Sequence, residues 1–115
     1  MPDDGIDLSN AKILMVDDTP ANIDVLHKLL AKEGYKLSFA TNADKALKII
    51  SRTIPNLILL DVMMPGMDGF ELCQLLKSQK ETQDIPIIFM TALTDTIDKI
   101  KGFSLGAVDY VTKPI

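Results

Sequence analysis

An α/β fold, one parallel sheet with helices on both faces, is predicted by three observations. Apolar runs of about five residues alternate along the chain with segments of helical period. Most of these runs are short and continuous, as in strands covered on both faces. The helical segments open on capping residues or on proline. Strand and helix in alternation imply right-handed crossovers that bring each strand back parallel to the one before. A sheet of that kind binds its ligands outside the carboxyl ends of its strands. The residues that follow each apolar run are therefore the ones to read for chemistry.

KILMV at 12–16 is the first strand. From Pro20 to Glu33 the period becomes helical: Ile23, Val25, Leu26, Leu29 and Leu30 share an arc of about 160° at ~100° per residue. Asp24, Lys28, Ala31 and Lys32 take the other side. Thr19 suits the cap, Pro20 the first helical position and Gly34 the stop. An arc that wide predicts burial against more than one neighbour. KLSFA at 36–40 is the second strand, and Asn42 caps a helix with Ala43, Ala46, Leu47 and Ile50 on one face. NLILL at 56–60 is the third, and Asp68 caps a helix that turns Leu72, Cys73, Leu75 and Leu76 inward. Pro86 precedes the fourth strand, IIFM at 87–90. Asp95 opens a weaker helix through Ile97, Ile100 and Phe103 to Gly106. VDYVT at 108–112 is the fifth strand. MPDDGIDLSN, residues 1–10, reads as a flexible polar lead-in, and 11–115 as one domain.

At 115 residues the chain has room for one core and not for two. A net charge of −4 with no cluster of Lys and Arg argues against direct binding to nucleic acid. No apolar run approaches the ~20 residues of a membrane span and no secretory leader is visible, so a cytoplasmic location without membrane insertion is expected. The single cysteine, Cys73, has neither a disulfide partner nor a metal-binding neighbour, and its place between Phe70 and Leu76 predicts a small buried core residue.

The strand ends collect a specific set of side chains. Asp17 and Asp18 follow the first strand, Asp61 the third, Thr91 and Ala92 the fourth, Lys113 and Pro114 the fifth. Three carboxylates at one rim repel one another unless a divalent cation neutralises them or one takes a proton. Oxygen ligands without histidine or cysteine favour a hard ion, Mg²⁺ first and Mn²⁺ or Ca²⁺ next. Met63 and Pro65 exclude the EF-hand pattern after Asp61. A lysine and a threonine beside such an ion suit a dianionic phosphoryl group.

VDD at 16–18, LLDVMMPGMDG at 59–69, MTA at 90–92 and VTKP at 111–114 stand in an order and at spacings that resemble the receiver domain of bacterial two-component response regulators, over residues 12–114. The resemblance implies a flavodoxin-like open sheet in the order 2-1-3-4-5. It implies that Asp61 accepts a phosphoryl group from a histidine kinase or a histidine phosphotransfer protein. Asp18 would bind Mg²⁺ directly, Asp17 mainly through water, and the backbone carbonyl of Met63 would be a further ligand beside Asp61. Thr91 would sense the phosphoryl group, Tyr110 would change rotamer on activation, and Lys113, its bond to Pro114 expected to be cis, would contact a phosphate oxygen. Gly66 and Gly69 would serve the turn around the metal. An output domain or effector would lie outside this chain.

Taken singly, these residues have plainer readings: Asp17 and Asp18 as a capping pair, Thr91 as a turn residue, Lys113 as a surface lysine and Tyr110 as a half-buried strand residue. Their joint placement at the ends of four strands favours the functional one. His27, away from the rim, reads as partly exposed and structural, with a phosphorelay role as the sharper alternative. Met63, Met64 and Met67 are expected to fill space beneath the loop. A phosphatase of the haloacid dehalogenase type also uses a strand-end aspartate for aspartyl phosphoryl transfer, but it needs an acid two residues on, where Met63 stands. A flavodoxin-type electron carrier needs a hydroxyl- and glycine-rich loop after the first strand, where DDTPAN stands. A receiver-like scaffold that no longer takes phosphate is the third alternative, and the five intact site residues lend it no support. Receivers ordinarily continue past the KP into a fifth helix, which is missing from this chain. The expectation is that a following segment covers Val25 and Leu29, or that the surface self-associates as a homodimer.

Overall fold

In the computed structural model, which describes residues 11–91 and 109–112, eight elements follow in the order β1 (Lys12–Val16), α1 (Pro20–Ala31), β2 (Lys36–Ala40), α2 (Ala43–Arg52), β3 (Leu57–Asp61), α3 (Gly69–Lys77), β4 (Ile87–Thr91) and β5 (Asp109–Thr112). All five strands are parallel, in the order β2-β1-β3-β4-β5. The expected fourth helix, Val108, Lys113 and the Lys113–Pro114 bond lie outside the described residues, as do residues 1–10.

Residues at alternate positions of a strand face opposite sides of the sheet, and the core accordingly divides in two. Leu14, Val16, Ile58, Leu60, Ile87 and Phe89 meet α2 and α3 through Ala43, Ala46, Ile50, Phe70, Leu72, Cys73 and Leu76. Ile13, Met15, Leu59 and Met90 meet Ile23 and Leu26 of α1 on the other side. Phe70 stands edge-on to Phe89 with ring centroids 5.0 Å apart, which ties α3 to β4. Cys73 is fully buried, as its position on the helix predicts.

Local chemistry sets the boundaries. Asn42 caps α2 by accepting the Lys45 N–H at 2.8 Å. Asp68 and Glu71 form a reciprocal capping box at the start of α3 (2.9 and 3.1 Å). Asn56 fixes the register at the amino end of the sheet, donating its backbone N–H to the Lys12 carbonyl and accepting the Lys12 N–H on its side chain, both at 2.8 Å. Past α3, Lys77 Nζ donates to the carbonyls of Gln83 (3.0 Å) and Ile85 (2.6 Å), and the buried Thr82 hydroxyl donates to that of Leu76. This clasp carries the chain into β4.

Several details depart from the sequence reading. β3 and β4 each run one residue further than expected, so Asp61 and Thr91 are the last residues of their strands rather than the first beyond them. The pairing of Asp61 with Met90 and of Thr91 with Thr112 extends the ladder to include them. Thr19 occupies the cap position of α1 without making a side-chain cap bond. Its hydroxyl turns to Asp18 instead. The wide arc of α1 is only partly used: Ile23 and Leu26 are buried, whereas Val25 and Leu29 are 41% and 50% exposed. Leu75 is half-buried rather than fully inward.

Candidate functional site

The rim at the carboxyl ends of β1 and β3 gathers Asp17, Asp18 and Asp61, and one carboxylate oxygen from each lies within 4.8 Å of the others. Asp17 and Asp61 are buried and Asp18 is exposed, so the cluster meets solvent through Asp18. Each is held differently. Asp17 donates its backbone N–H to the Ala40 carbonyl (3.1 Å), which fixes it to β2. Its carboxylate accepts the Thr19 N–H on Oδ1 (2.9 Å) and the Asn22 amide on Oδ2 (3.2 Å), so both oxygens are oriented by the first turn of α1. Among the described residues Asp18 accepts a single long contact, from the Thr19 hydroxyl at 3.4 Å. Asp61 Oδ1 accepts the backbone N–H of Met63 at 3.3 Å.

The loop after Asp61 is shaped by its two glycines, each for its own reason. Gly66 takes φ 74°, a left-handed conformation that glycine adopts without a Cβ penalty. Gly69 lies against the backbone of the aspartate strand. A Cβ there would collide with the Asp61 carbonyl oxygen and stand 2.9 Å from the Val62 Cα. Its N–H donates to the Val62 carbonyl at 2.9 Å, pinning the start of α3 to the end of β3. The capping box of Asp68 therefore begins its helix directly behind the site. Met64 is buried and Met67 packs against the core beneath the loop, but Met63 is 63% exposed. The expectation that Met63 fills space under the loop is corrected: its N–H faces Asp61 while its thioether is largely in water.

The donor set tests the metal reading on its own terms. Three carboxylates, two of them withdrawn from water, with no histidine or cysteine among them, form an oxygen-only cage of the kind that suits a hard divalent cation. No other group of three potential ligands occurs among the described residues. Among the described residues no helix is long and apolar enough to cross a membrane.

Of the other expected site residues, the backbone of Thr91 ends β4 next to β3, and that of Tyr110 lies in β5 opposite Phe89. Lys113 lies outside the described residues. His27 is exposed on α1, lining a shallow cleft with Phe39 and Thr41. Asn22 was not anticipated as a site residue. A polar side chain within a helix's first turn, a few residues past an acidic pair, is the signal that marks it.

The family model of the response regulator receiver domain matches residues 13–115. The response regulator PleD of Caulobacter vibrioides is 47% identical over 92% of this chain, which spans 23% of that protein. The transcriptional regulatory protein YvrH of Bacillus subtilis is 45% identical over 93% of this chain and 44% of its own length. The chain thus covers less than half of these relatives. Among solved structures, the chemotaxis protein CheY4 of Vibrio cholerae matches with a TM-score of 0.87 at 30% identity, covering 92% of this chain and 88% of that one. The receiver domain of a histidine kinase from Syntrophus aciditrophicus matches with a TM-score of 0.82 at 39% identity, covering 91% and 80%. With a flavodoxin-like sheet, an acidic rim and relatives of this kind, the chain belongs to the response regulator receiver domains, the phosphoacceptor switches of two-component signalling.

Proposed function

We propose that Asp61 is the phosphoacceptor of this switch, and the observation that carries the reading is the convergence of the Asp17, Asp18 and Asp61 carboxylates at the end of β3. The donor is a histidine kinase or a histidine phosphotransfer protein. An Asp61 carboxylate oxygen forms a bond to phosphorus as the bond from phosphorus to the donor imidazole nitrogen breaks, and that electron pair stays on the nitrogen. The product is an acyl phosphate. The Met63 N–H on Asp61 Oδ1 holds the carboxylate in place for the transfer.

Asp18, Asp61 and the Met63 carbonyl would hold Mg²⁺, and Asp17 would act mainly through water; Mn²⁺ or Ca²⁺ would be chemically compatible substitutes. A bound Mg²⁺ would supply positive charge to neutralise the transferring phosphoryl oxygens. Asp17, braced by Thr19 and Asn22, keeps the acidic cage in shape. Thr91 and Lys113 take the new phosphate oxygens as hydrogen-bond and charge partners, and Tyr110 moves into the space Thr91 leaves. The face that changes belongs to β5 and to the stretch from Asp95 to Gly106 whose sequence has a helical period, and an output domain or effector outside this chain reads it. The setting is cytoplasmic.

The phosphorylated state is long-lived. Hydrolysis needs a water positioned in line with phosphorus, and in receivers the residues two past the phosphoacceptor and two past the threonine flank its path. Here these are Met63 and Leu93. Neither side chain donates a hydrogen bond to water. A Met63→Asn, Leu93→Glu double variant is expected to lose its phosphoryl group faster than the wild type, and equal decay would show that these side chains do not control the water.

Incubation with a small phosphodonor and Mg²⁺, followed by intact-protein mass spectrometry, tests the function. The wild type is expected to gain one phosphoryl group, and excess chelator to stop nearly all transfer. No gain, or an equal gain in Asp61→Asn, overturns the reading.

A further inference from the structure

At the amino ends of the strands, about 17 Å of extended chain from Asp17 at ~3.3 Å per residue, lies a cavity of about 340 Å³. Lys12, Lys36 and Arg52 line it, together with Ser38, Thr53 and an apolar floor that includes Leu14 and Ile49. Three elements deliver the cations: Lys12 opens β1, Lys36 opens β2 and Arg52 ends α2. The parallel register pairs Lys12 directly with Lys36, so two like charges face the same side of the sheet. Like charges in adjacent strands repel. No carboxylate forms a salt bridge with any of the three among the described residues, where the one ion pair is Lys28 with Asp24.

Two of these cations have ordinary explanations. Arg52 complements the carboxyl end of the α2 dipole, and Lys36 on the edge strand β2 discourages pairing with another chain. Neither explanation covers Lys12, which sits on an interior strand between β2 and β3. In a chain of net charge −4, a positive pole that has no salt-bridge partner among the described residues stands out against the general field.

We propose that this cavity is a binding site for a small phosphate-bearing ligand. Arg52 supplies a planar fork suited to two phosphate oxygens, and the lysines supply point charges. The Ser38 and Thr53 hydroxyls add donors, and the half-buried Ile49 takes the organic part. The volume falls at the small end of ligand pockets, which span roughly 300–1,000 Å³. Occupancy relieves the repulsion between Lys12 and Lys36. The site is independent of the phosphoacceptor reading.

Calorimetric titration of the 115-residue chain with inorganic pyrophosphate, with chelator present to keep cations off the acidic rim, tests the assignment. Saturable binding at one site is expected, with amide shifts centred on Lys12, Lys36, Arg52 and Thr53. Lys36→Glu and Arg52→Glu should each weaken it at least ~10-fold, while Asp61→Asn leaves it unchanged. Both charge reversals are at exposed positions, and an unaltered thermal midpoint verifies that the variants fold. Absence of saturable binding, shifts confined to the other end of the sheet, or indifference to both reversals overturns the proposal. Tighter binding of a short oligonucleotide than of pyrophosphate would also overturn it, since the ligand would then be a nucleic-acid backbone.

Discussion

At the carboxyl ends of β1 and β3 two carboxylates are withdrawn from water beside a third, whereas a few residues back, beneath α2 and α3, the same strands meet only hydrocarbon. The contrast within β3 is sharp: Leu60 is fully buried among apolar neighbours, and Asp61, the next residue, is almost as buried among acids. Burying Leu60 is favourable without further conditions. Burying Asp61 is tolerable only where something satisfies its charge. The core therefore supplies stability for a rim whose charges are arranged for chemistry, and variants of the two regions should fail differently.

The largest effect is expected in the core. Leu72→Ala removes a fully buried side chain from the α3 face and should cost about 2–5 kcal/mol of unfolding free energy in a urea titration. Where the variant stays folded, it should still accept a phosphoryl group. A loss of phosphorylation without a loss of stability would erase the division between core and rim.

The rim is expected to respond to cations instead. Mg²⁺ at about 100 times its dissociation constant should stabilise the wild type by ~2.7 kcal/mol, read as a rise in thermal midpoint. Asp18→Asn, which removes one of three mutually repelling carboxylates, should leave the metal-free stability equal or higher and lose most of that rise. Equal stabilisation of the variant would place the cation elsewhere.

Gly69 belongs to both regions. Gly69→Ala drives a methyl group into the Asp61 carbonyl and should cost roughly 1–3 kcal/mol while slowing phosphoryl transfer, because β3 and α3 must separate. Gly66→Ala meets no neighbouring atom and strains only its own backbone, so it should spare the Asp61 position. Identical transfer rates in the two variants would show that the close approach at Gly69 does not position the acceptor.

The smallest effect concerns pH. Burial raises the Cys73 thiol above its ordinary 9.0, with Lys77 pulling weakly the other way. A folded-state pKa above the unfolded one means that the contribution of the neutral thiol is whole below the unfolded value and is lost as pH climbs toward the folded value. From about pH 8 upward the wild type should lose slightly more stability than Cys73→Ala. A larger loss in the variant would contradict the burial argument.

Most of the fold was legible because its signals are local. Continuous apolar runs marked the buried strands to within a residue, and Asn42 and Asp68 announced their helices through side-chain caps that the structure contains. Thr19 misled because its hydroxyl had another acceptor, Asp18, which propensity alone does not weigh. At the site, the clustering of Asp17, Asp18 and Asp61 followed from strand order. What could not be read was the direction of each side chain. Met63 shares its neighbours' composition but not their burial, since a loop has no period from which to infer which side faces in. Asn22 braces Asp17 through a contact that depends on how α1 leaves the sheet.

Whether the buried Asp61, and not its two acidic neighbours, receives the phosphoryl group can be read directly from the modified chain. Reduction of the phosphorylated chain with borohydride converts an acyl phosphate to an alcohol, so the modified aspartate becomes homoserine and survives proteolysis. Peptide sequencing by mass spectrometry is expected to find homoserine at position 61 alone. Homoserine at position 17 or 18, or none in a chain that has gained a phosphoryl group, would contradict the account.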